Sequence, residues 1–518
     1  MNVAVRADAG RSIGIGHVMR CLTLARELRQ RGARVCFVSR RQPGDLIGLL
    51  GESGFEVQPL PEAAPPIGAV PDDYGAWLGV TESQDATETI AAVNDRRLDW
   101  LIVDHYAVGA EWERRVRPRA PAICAIDDLA NRDHDCDVLL DQNYFGVQTE
   151  TRYEDRLPAA ALQLLGPRYA LLPERYRQRP RREHQDGVVR RVLVFFGGSD
   201  QTNETAKAIA ALSYEAAASL HVDVVLGSSH PDAGAIRRQA LNRPHTEVFE
   251  NLPSLADLMA RADLFVGSAG STTWERAYCG IPSIVVILAE NQRAPARALA
   301  DEGRQIALDG RHGGIGLDDW RRAIGQALAD AGGLAVLGEA LQPLVDGRGT
   351  QRVARALLRQ EGLRVSVRPA ATGDEQIWFD WANDPGVRAL SFSTGRIDRD
   401  AHARWFRARI TNPAWLMLVA EDEAELPLGH LRLELDGAGQ EAIVSIAVDR
   451  CARGIGIGDT LLRSGIERLR EARRGVSVIA EVLERNDRSA RLFLRRGFQE
   501  TERRHPGARC FIFHTTST

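Results

Sequence analysis

The segment RADAGRSIGIGH places Gly14 and Gly16 directly before His17. Glycines in such a turn let backbone N–H groups approach an anion at a helix N-terminus. Apolar residues at Val18, Cys21, Leu22, Ala25 and Leu28 predict a helix over 17–31, with His17 in its first turn. The helix dipole disfavours an imidazolium there, and a neutral imidazole is able to take a proton as a general base. Read alone, the histidine also fits a cap or core position.

Other polar groups follow apolar runs, at the strand ends where open α/β sheets hold ligands. Asp104 and Tyr106, in Asp104-His105-Tyr106, are sugar-binding candidates; Asp127 and Asp128 form a second rank, with turn and cap roles as their commoner use. In the second half, FFGGSDQTNET offers Gly197, Gly198 and Ser199, with Thr202 and Asn203 able to bind phosphate or cap a helix. VGSAGSTTWE repeats the pattern: Gly270, Ser271 and Thr272 present a turn to a diphosphate, and Glu275 suits the two hydroxyls of a ribose. Asn291 and Gln292 lie at a further strand end, within reach of sugar or phosphates.

A third chemistry sits near the C-terminus. The strand EAIVSIAVD leads into Arg450-Cys451-Ala452-Arg453-Gly454-Ile455-Gly456-Ile457-Gly458 and an amphipathic helix, a turn whose N–H groups suit a pyrophosphate. It is no dinucleotide fingerprint, because no matching βαβ unit carries an acid at the expected distance.

The elements that position these groups fall into three series. Strands near 2–5, 34–39, 100–104, 122–127 and 138–141 alternate with helices, and strands near 191–196, 222–226, 264–266 and 283–287 do so again after the Pro- and Arg-rich stretch 173–187, which reads as a linker. A helical run over 317–360 closes that half. Strands at 363–369, 415–420, 428–434, 441–448 and 475–486 then indicate an α+β unit with an antiparallel meander. The expected domains are 1–173, 188–348 and 364–518, in keeping with a prior of about three for 518 residues.

Composition narrows the partners. With 66 basic and 70 acidic residues the net charge is −4, so no global positive charge holds nucleic acid or an anionic membrane. Lys207 is the single lysine, leaving arginine to carry the positive charge. Seven cysteines without a CxxC pair argue against a disulfide framework or structural zinc. The stretch around 281–289 is too short for a membrane span and the N-terminus carries no export signal, so a cytoplasmic protein is expected.

The segments GIGHVMRCLTLA, WLGVT, VDHY, IDDLANRDHDCDVLLDQN, GPRYALLPE, FFGGSD, GSAGSTTWER and AENQ together resemble the UDP-sugar hydrolases of pseudaminic acid biosynthesis, which cleave UDP-2,4-diacetamido-2,4,6-trideoxy-β-L-altropyranose. That family is similar to the MurG-type glycosyltransferases of the GT-B fold, in which two Rossmann-like domains share a cleft. The resemblance implies that His17 activates water, that UDP lies on the second domain with Glu275 at the ribose and 270–272 at the phosphates, and that no metal is needed. The C-terminal part resembles the GNAT acyl-CoA N-acyltransferases. That implies acetyl-CoA as cosubstrate, held by the Arg453–Gly458 turn (Gly454, Gly456 and Gly458 included), by Ile446 and Val448 of the preceding strand, and by Asn486 and Ser489. Phe493 stands where that family often has a tyrosine acid, and Glu434 and Glu441 are carboxylates on the neighbouring strands.

The two resemblances join consecutive steps: N-acetylation of a UDP-4-amino sugar, then removal of UDP. A glycosyltransferase with an acceptor other than water, a GNAT domain acting on another amine, and a noncatalytic nucleotide-sugar sensor stay open alongside, as does the oligomeric state.

Overall fold

The five strands expected in the first half are joined by two more in a sheet of seven parallel strands: β1 (Asn2–Ala7), β2 (Arg34–Arg40), β3 (Glu56–Leu60), β4 (Trp100–Asp104), β5 (Ile123–Ile126), β6 (Val138–Asp141) and β7 (Leu162–Leu165), of which β3 and β7 are the additions. They lie in the order β3-β2-β1-β4-β5-β6-β7. A second parallel sheet holds β8 (Arg191–Phe195), β9 (His221–Leu226), β10 (Thr246–Glu250), β11 (Leu264–Ser268), β12 (Ser283–Ile287) and β13 (Ile306–Asp309), ordered β10-β9-β8-β11-β12-β13. Strands β4, β5, β6, β11 and β12 are buried at every residue, as helices on both faces of a parallel sheet require. The strand order reverses between β1 and β4 and again between β8 and β11, and the loops leaving those strands carry the residues of interest.

The computed structural model describes all residues except 12, 64–73, 180, 182–185, 199, 215–216, 228–229, 359–362 and 516–518. It divides into two units, Met1–Leu357 and Leu358–Thr518. Both Rossmann-like sheets belong to the first. The expected linker opens as packed structure, since Tyr176 of the short helix Glu174–Arg177 is buried in the second sheet's core beside Met259.

The helical run expected over 317–360 is three helices, Leu317–Ala329, Ala331–Leu341 and Gly349–Leu358. Asp330 ends the first and caps the next through Gly333 N, and Pro343 and Gly347 fall in the second break. The last helix returns to the end of the first sheet's domain: Thr350 Oγ1 donates to the Leu172 carbonyl at 2.9 Å and Arg352 Nη1 to that of Arg168 at 2.9 Å. Gly349 permits this approach, because a Cβ there would lie 2.3 Å from the Ala170 oxygen.

In the second unit, β14 (Ser366–Pro369), β15 (Trp415–Glu421), β16 (Pro427–Leu435) and β17 (Glu441–Val448) form the antiparallel series, followed by β18 (Ser477–Leu483), β19 (Gln499–Thr501) and β20 (Ala508–His514). The order is β14-β15-β16-β17-β18-β20-β19. Strands β17 and β18 run parallel but pair only where Glu441–Ile443 meets Ser477–Ile479. Beyond Ile443 they diverge, and the edge of β17 that faces β18 is open. Among the described residues no helix is long and apolar enough to cross a membrane, and no group of three or more His, Cys, Asp or Glu side chains is placed to hold a metal ion.

Candidate functional site

Helix Gly16–Gln30 starts without a side-chain cap, after a turn in which Gly10 and Gly14 exchange backbone hydrogen bonds and Gly14 takes φ +79°. This aims His17 at the end of β4. Its Nδ1 lies 2.6 Å from Asp104 Oδ1. Arg20, one turn along the same helix face, closes on that carboxylate with Nε and Nη2, each at 2.6 Å, and reaches Asp128 Oδ2 with Nη1 at 3.1 Å. Burial alone would raise the Asp104 carboxyl, but Arg20 and then His17 hold it well below the usual carboxylate range. A carboxylate fixed at Nδ1 keeps the proton on that nitrogen and leaves Nε2 as the basic one.

Asp104, expected as a sugar ligand, is fully buried with both oxygens engaged by His17 and Arg20. Tyr106 packs edge-on against the His17 ring at 4.6 Å and stacks on Trp77 at 5.6 Å. Its hydroxyl accepts from Asn291 Nδ2 at 3.2 Å, so the β4 and β12 loops meet across the crevice. The two glycine turns also face one another, since a Cβ on Gly16 would lie 3.8 Å from Ser271 Oγ. A second crossing runs from Trp274 Nε1 to Asn143 Oδ1 at 3.2 Å, with Asn143 Nδ2 on Asp128 at 3.2 Å. Asp127 serves the first domain alone, accepting from Ala130 N and the Tyr153 hydroxyl and pairing with Arg132.

On the second domain, the 270–272 turn stays available. Thr272 Oγ1 is buried with no hydrogen-bond partner among the described residues, and Gly270 lies beside Gln292, whose Oε1 accepts from Leu288 N. Glu275 is partly exposed in helix Thr273–Cys279; burial pushes its carboxyl up to about 7, with the Tyr176 hydroxyl pulling the other way. In the FFGGSDQTNET turn Asp200 caps helix Glu204–Leu212, accepting from Glu204 N at 2.9 Å and Thr205 N at 2.8 Å. Gly198 backs onto Gly227, whose own Cβ would lie 2.5 Å from the Gly198 Cα, while a Cβ on Gly198 would meet nothing within 4 Å; Gly197 faces Ser268. Ser199 lies outside the described residues.

In the second unit, Ile446 and Val448 lie on the open stretch of β17. Gly454 and Gly456 take φ +92° and +91°, and Gly456 begins helix Ile457–Ala472. Gly458 packs against Leu492 and Val448. Arg453 turns part of its guanidinium inward, with Nη2 on Asp384 at 2.6 Å and Nε on the Val448 carbonyl at 3.2 Å, and its side chain stays part-exposed. Arg488, which sequence reasoning passed over, faces Gly454. Asn486 spends its Oδ1 on Ser489 N at 3.2 Å as the cap of helix Asp487–Arg495. Phe493 is buried against Phe498 and Phe511, and Glu441 pairs with Arg504 at the closed end of the splay.

Arg20 and Asn143 were not singled out as site residues, although both fall within the motifs GIGHVMRCLTLA and IDDLANRDHDCDVLLDQN, and Arg20 lies three positions after His17 on one helix face.

The chain is 20% identical, over 97% of its length and 98% of the relative's, to an uncharacterised protein of Methanocaldococcus jannaschii. It is 23% identical, over 59% of its length and 98% of the relative's, to the UDP-2,4-diacetamido-2,4,6-trideoxy-beta-L-altropyranose hydrolase of Campylobacter jejuni. Among solved structures, MurG of Acinetobacter baumannii aligns over 69% of this chain and 99% of its own, at 16% identity and a TM-score of 0.48. Residues 192–312 match the glycosyltransferase family 28 C-terminal domain, and residues 377–498 match the acetyltransferase (GNAT) family. The first unit is thus a GT-B-like pair of Rossmann-like domains, the later of which carries the glycosyltransferase family 28 C-terminal match, and the second unit is a GNAT domain. The chain is a nucleotide-sugar enzyme joined to an acetyltransferase.

Proposed function

We propose that the first unit hydrolyses a UDP-linked sugar, with His17 Nε2 taking the proton of the attacking water. The observation that carries this reading is the 2.6 Å contact between His17 Nδ1 and the buried Asp104 carboxylate at the crevice between the two domains. Water bonds to the anomeric carbon, the bond from that carbon to the UDP oxygen breaks with inversion, and UDP leaves with the electron pair. The 270–272 turn and the Thr272 hydroxyl receive the diphosphate, Glu275 the ribose, and Tyr106, Asn291 and Gln292 line the sugar. Similarity to the Campylobacter jejuni hydrolase supports UDP-2,4-diacetamido-2,4,6-trideoxy-β-L-altropyranose as the substrate.

The second unit acetylates the 4-amino group of the UDP-sugar precursor. Acetyl-CoA fits its open edge: the unpaired backbone of β17 beyond Ile443 would take the pantetheine arm, and the Gly454–Gly458 turn with Arg488 the pyrophosphate. When bound it supplies an acyl thioester that the amine attacks directly. Acetylation makes the diacetamido sugar that the first unit consumes, and use of a UDP-sugar and acetyl-CoA supports a cytoplasmic enzyme.

One-pot mass spectrometry with the UDP-4-amino sugar and acetyl-CoA tests the whole reading. Gain of an acetyl group followed by loss of UDP is expected. Free UDP released from the unacetylated sugar overturns the order of steps.

A further inference from the structure

The open edge of β17 accounts for one substrate of the second unit, and the sheet face beside it bears on the other. The β16–β17 register sets His430 opposite Ala447, Arg432 opposite Ser445 and Glu434 opposite Ile443. The inner end of this face is closed, since His430 is buried and stacks on Trp378 at 4.0 Å. The outer end is lined by cations and aromatic rings. Arg432 lies 5.2 Å from the ring centre of Trp405 and 5.9 Å from that of Trp415. Arg409, from helix Arg399–Ile410, lies 5.2 and 4.9 Å from the same two rings, which meet edge to face at 6.0 Å. Arg388 of the short helix Pro385–Ala389 is near enough to bear on the charge of Arg432, as Arg409 does.

Elsewhere in this unit Arg368, Arg407 and Arg450 are each bound to a carboxylate. Arg388 and Arg409 bond only to Ser391 and to backbone oxygens, and their Nε atoms are buried without a partner among the described residues. Burial pushes the Arg432 guanidinium below its ordinary value; Glu434 opposes this, and Arg409 and Arg388 add to it. Three guanidinium groups drawn together against one exposed carboxylate form a standing excess of positive charge in a partly desolvated place, and only an anion relieves it. The planar fork of arginine matches phosphate oxygens in pairs, and the indole faces hold the forks in place. Neighbouring strands lie about 5 Å apart, so Arg432 stands one strand spacing from Ser445. An amine at the open edge of β17 would reach back to this anion site across the width of one sugar ring.

We propose that Arg388, Arg409 and Arg432, braced on Trp405 and Trp415, form the subsite that holds the diphosphate of a nucleotide-linked amine during acetyl transfer. This rests on the reading of the second unit as an acetyltransferase acting on a nucleotide sugar.

The test is steady-state acetyl transfer by the full chain to a UDP-linked 4-amino sugar, for the native protein and for Arg432→Gln, Arg409→Gln and Arg432→Lys. Each glutamine variant is expected to raise the KM for the amino sugar about ten-fold or more, with the lysine variant in between. The KM for acetyl-CoA and the release of UDP by the first unit stay unchanged, which shows that the variants are folded. Added UDP competes with the amino sugar in the native protein and loses potency in the glutamine variants. An unchanged amino-sugar KM in those variants, with native transfer intact, overturns the subsite and leaves the acetyltransferase reading in place. No native transfer to the amino sugar, together with arginine-dependent transfer to a carboxylated amine, overturns the diphosphate assignment and the reading beneath it.

Discussion

His17 Nδ1 lies 2.6 Å from Asp104 Oδ1, although 87 positions separate the two residues. His17 follows β1 through a glycine turn and Asp104 ends β4, and the two strands are neighbours in the sheet. Arg20 holds the carboxylate from its other side, so the imidazole is backed by a charge that persists throughout the neutral range.

Removing the base and removing its support are separable. His17→Ala is expected to slow UDP release by at least about 10²-fold while UDP still binds, because general-base assistance contributes about 10² to 10⁴-fold. Asp104→Asn keeps the shape but loses the charge that fixes the tautomer, and it leaves Arg20 with Asp128 alone. We expect a fall in kcat of similar size with little change in KM, and a lower melting temperature from the less compensated arginine. Turnover and calorimetry on the two variants check both statements; native turnover in His17→Ala excludes the histidine as base.

Glu275 carries a pH signature. Its carboxyl, pushed up to about 7 by burial, binds more protons in the folded chain than in the unfolded one, so its contribution to stability falls as pH rises from 4.5 through 7. Glu275→Gln is therefore expected to melt higher than the native protein near pH 8, by about 2 °C or more, with the difference closing near pH 4. Thermal scans at the two pH values without nucleotide decide it. An equal offset at both would assign the effect to packing and not to ionisation.

The ring of Phe493 is 5.1 Å from Phe498 and 6.3 Å from Phe511, inside an aromatic cluster. Phe493→Tyr is expected to bring no gain in acetyl transfer and to lower stability by about 1–3 kcal/mol, the cost of burying a hydroxyl without a partner. Denaturant melts and acetyl-transfer rates measure the two effects. A large rise in kcat would show that this position reaches the thioester after all.

Gly456 begins helix Ile457–Ala472 in the left-handed region, at φ +91°. Gly456→Ala is expected to cost about 1–2 kcal/mol of local strain, shifting the turn and raising the KM for acetyl-CoA several-fold. UDP release by the first unit should not change, and assays of the two activities on one preparation supply the comparison.

The amino-acid order by itself determined what depends on near neighbours in the chain. The apolar runs of the central strands, the glycine turns, the helix bearing His17 and the open glycine pair at 454 and 456 were all legible, because spacing over a few residues sets each of them. The strands β3, β7, β10 and β13 were not. Each is a sheet edge, half-buried, and without the continuous apolar run that two covered faces demand.

Only the tertiary structure decided what those groups do. Asp104 and Arg453 have the right chemistry to touch substrate, yet His17 and Arg20 claim the first, and Asp384, 69 positions upstream, takes part of the guanidinium of the second. The divergence of β17 from β18 likewise follows from which strands pair and for how long. Such outcomes rest on contacts between residues far apart in the chain, and a buried charge takes whichever opposite charge the packing brings to it, because desolvation makes an unpaired one too costly.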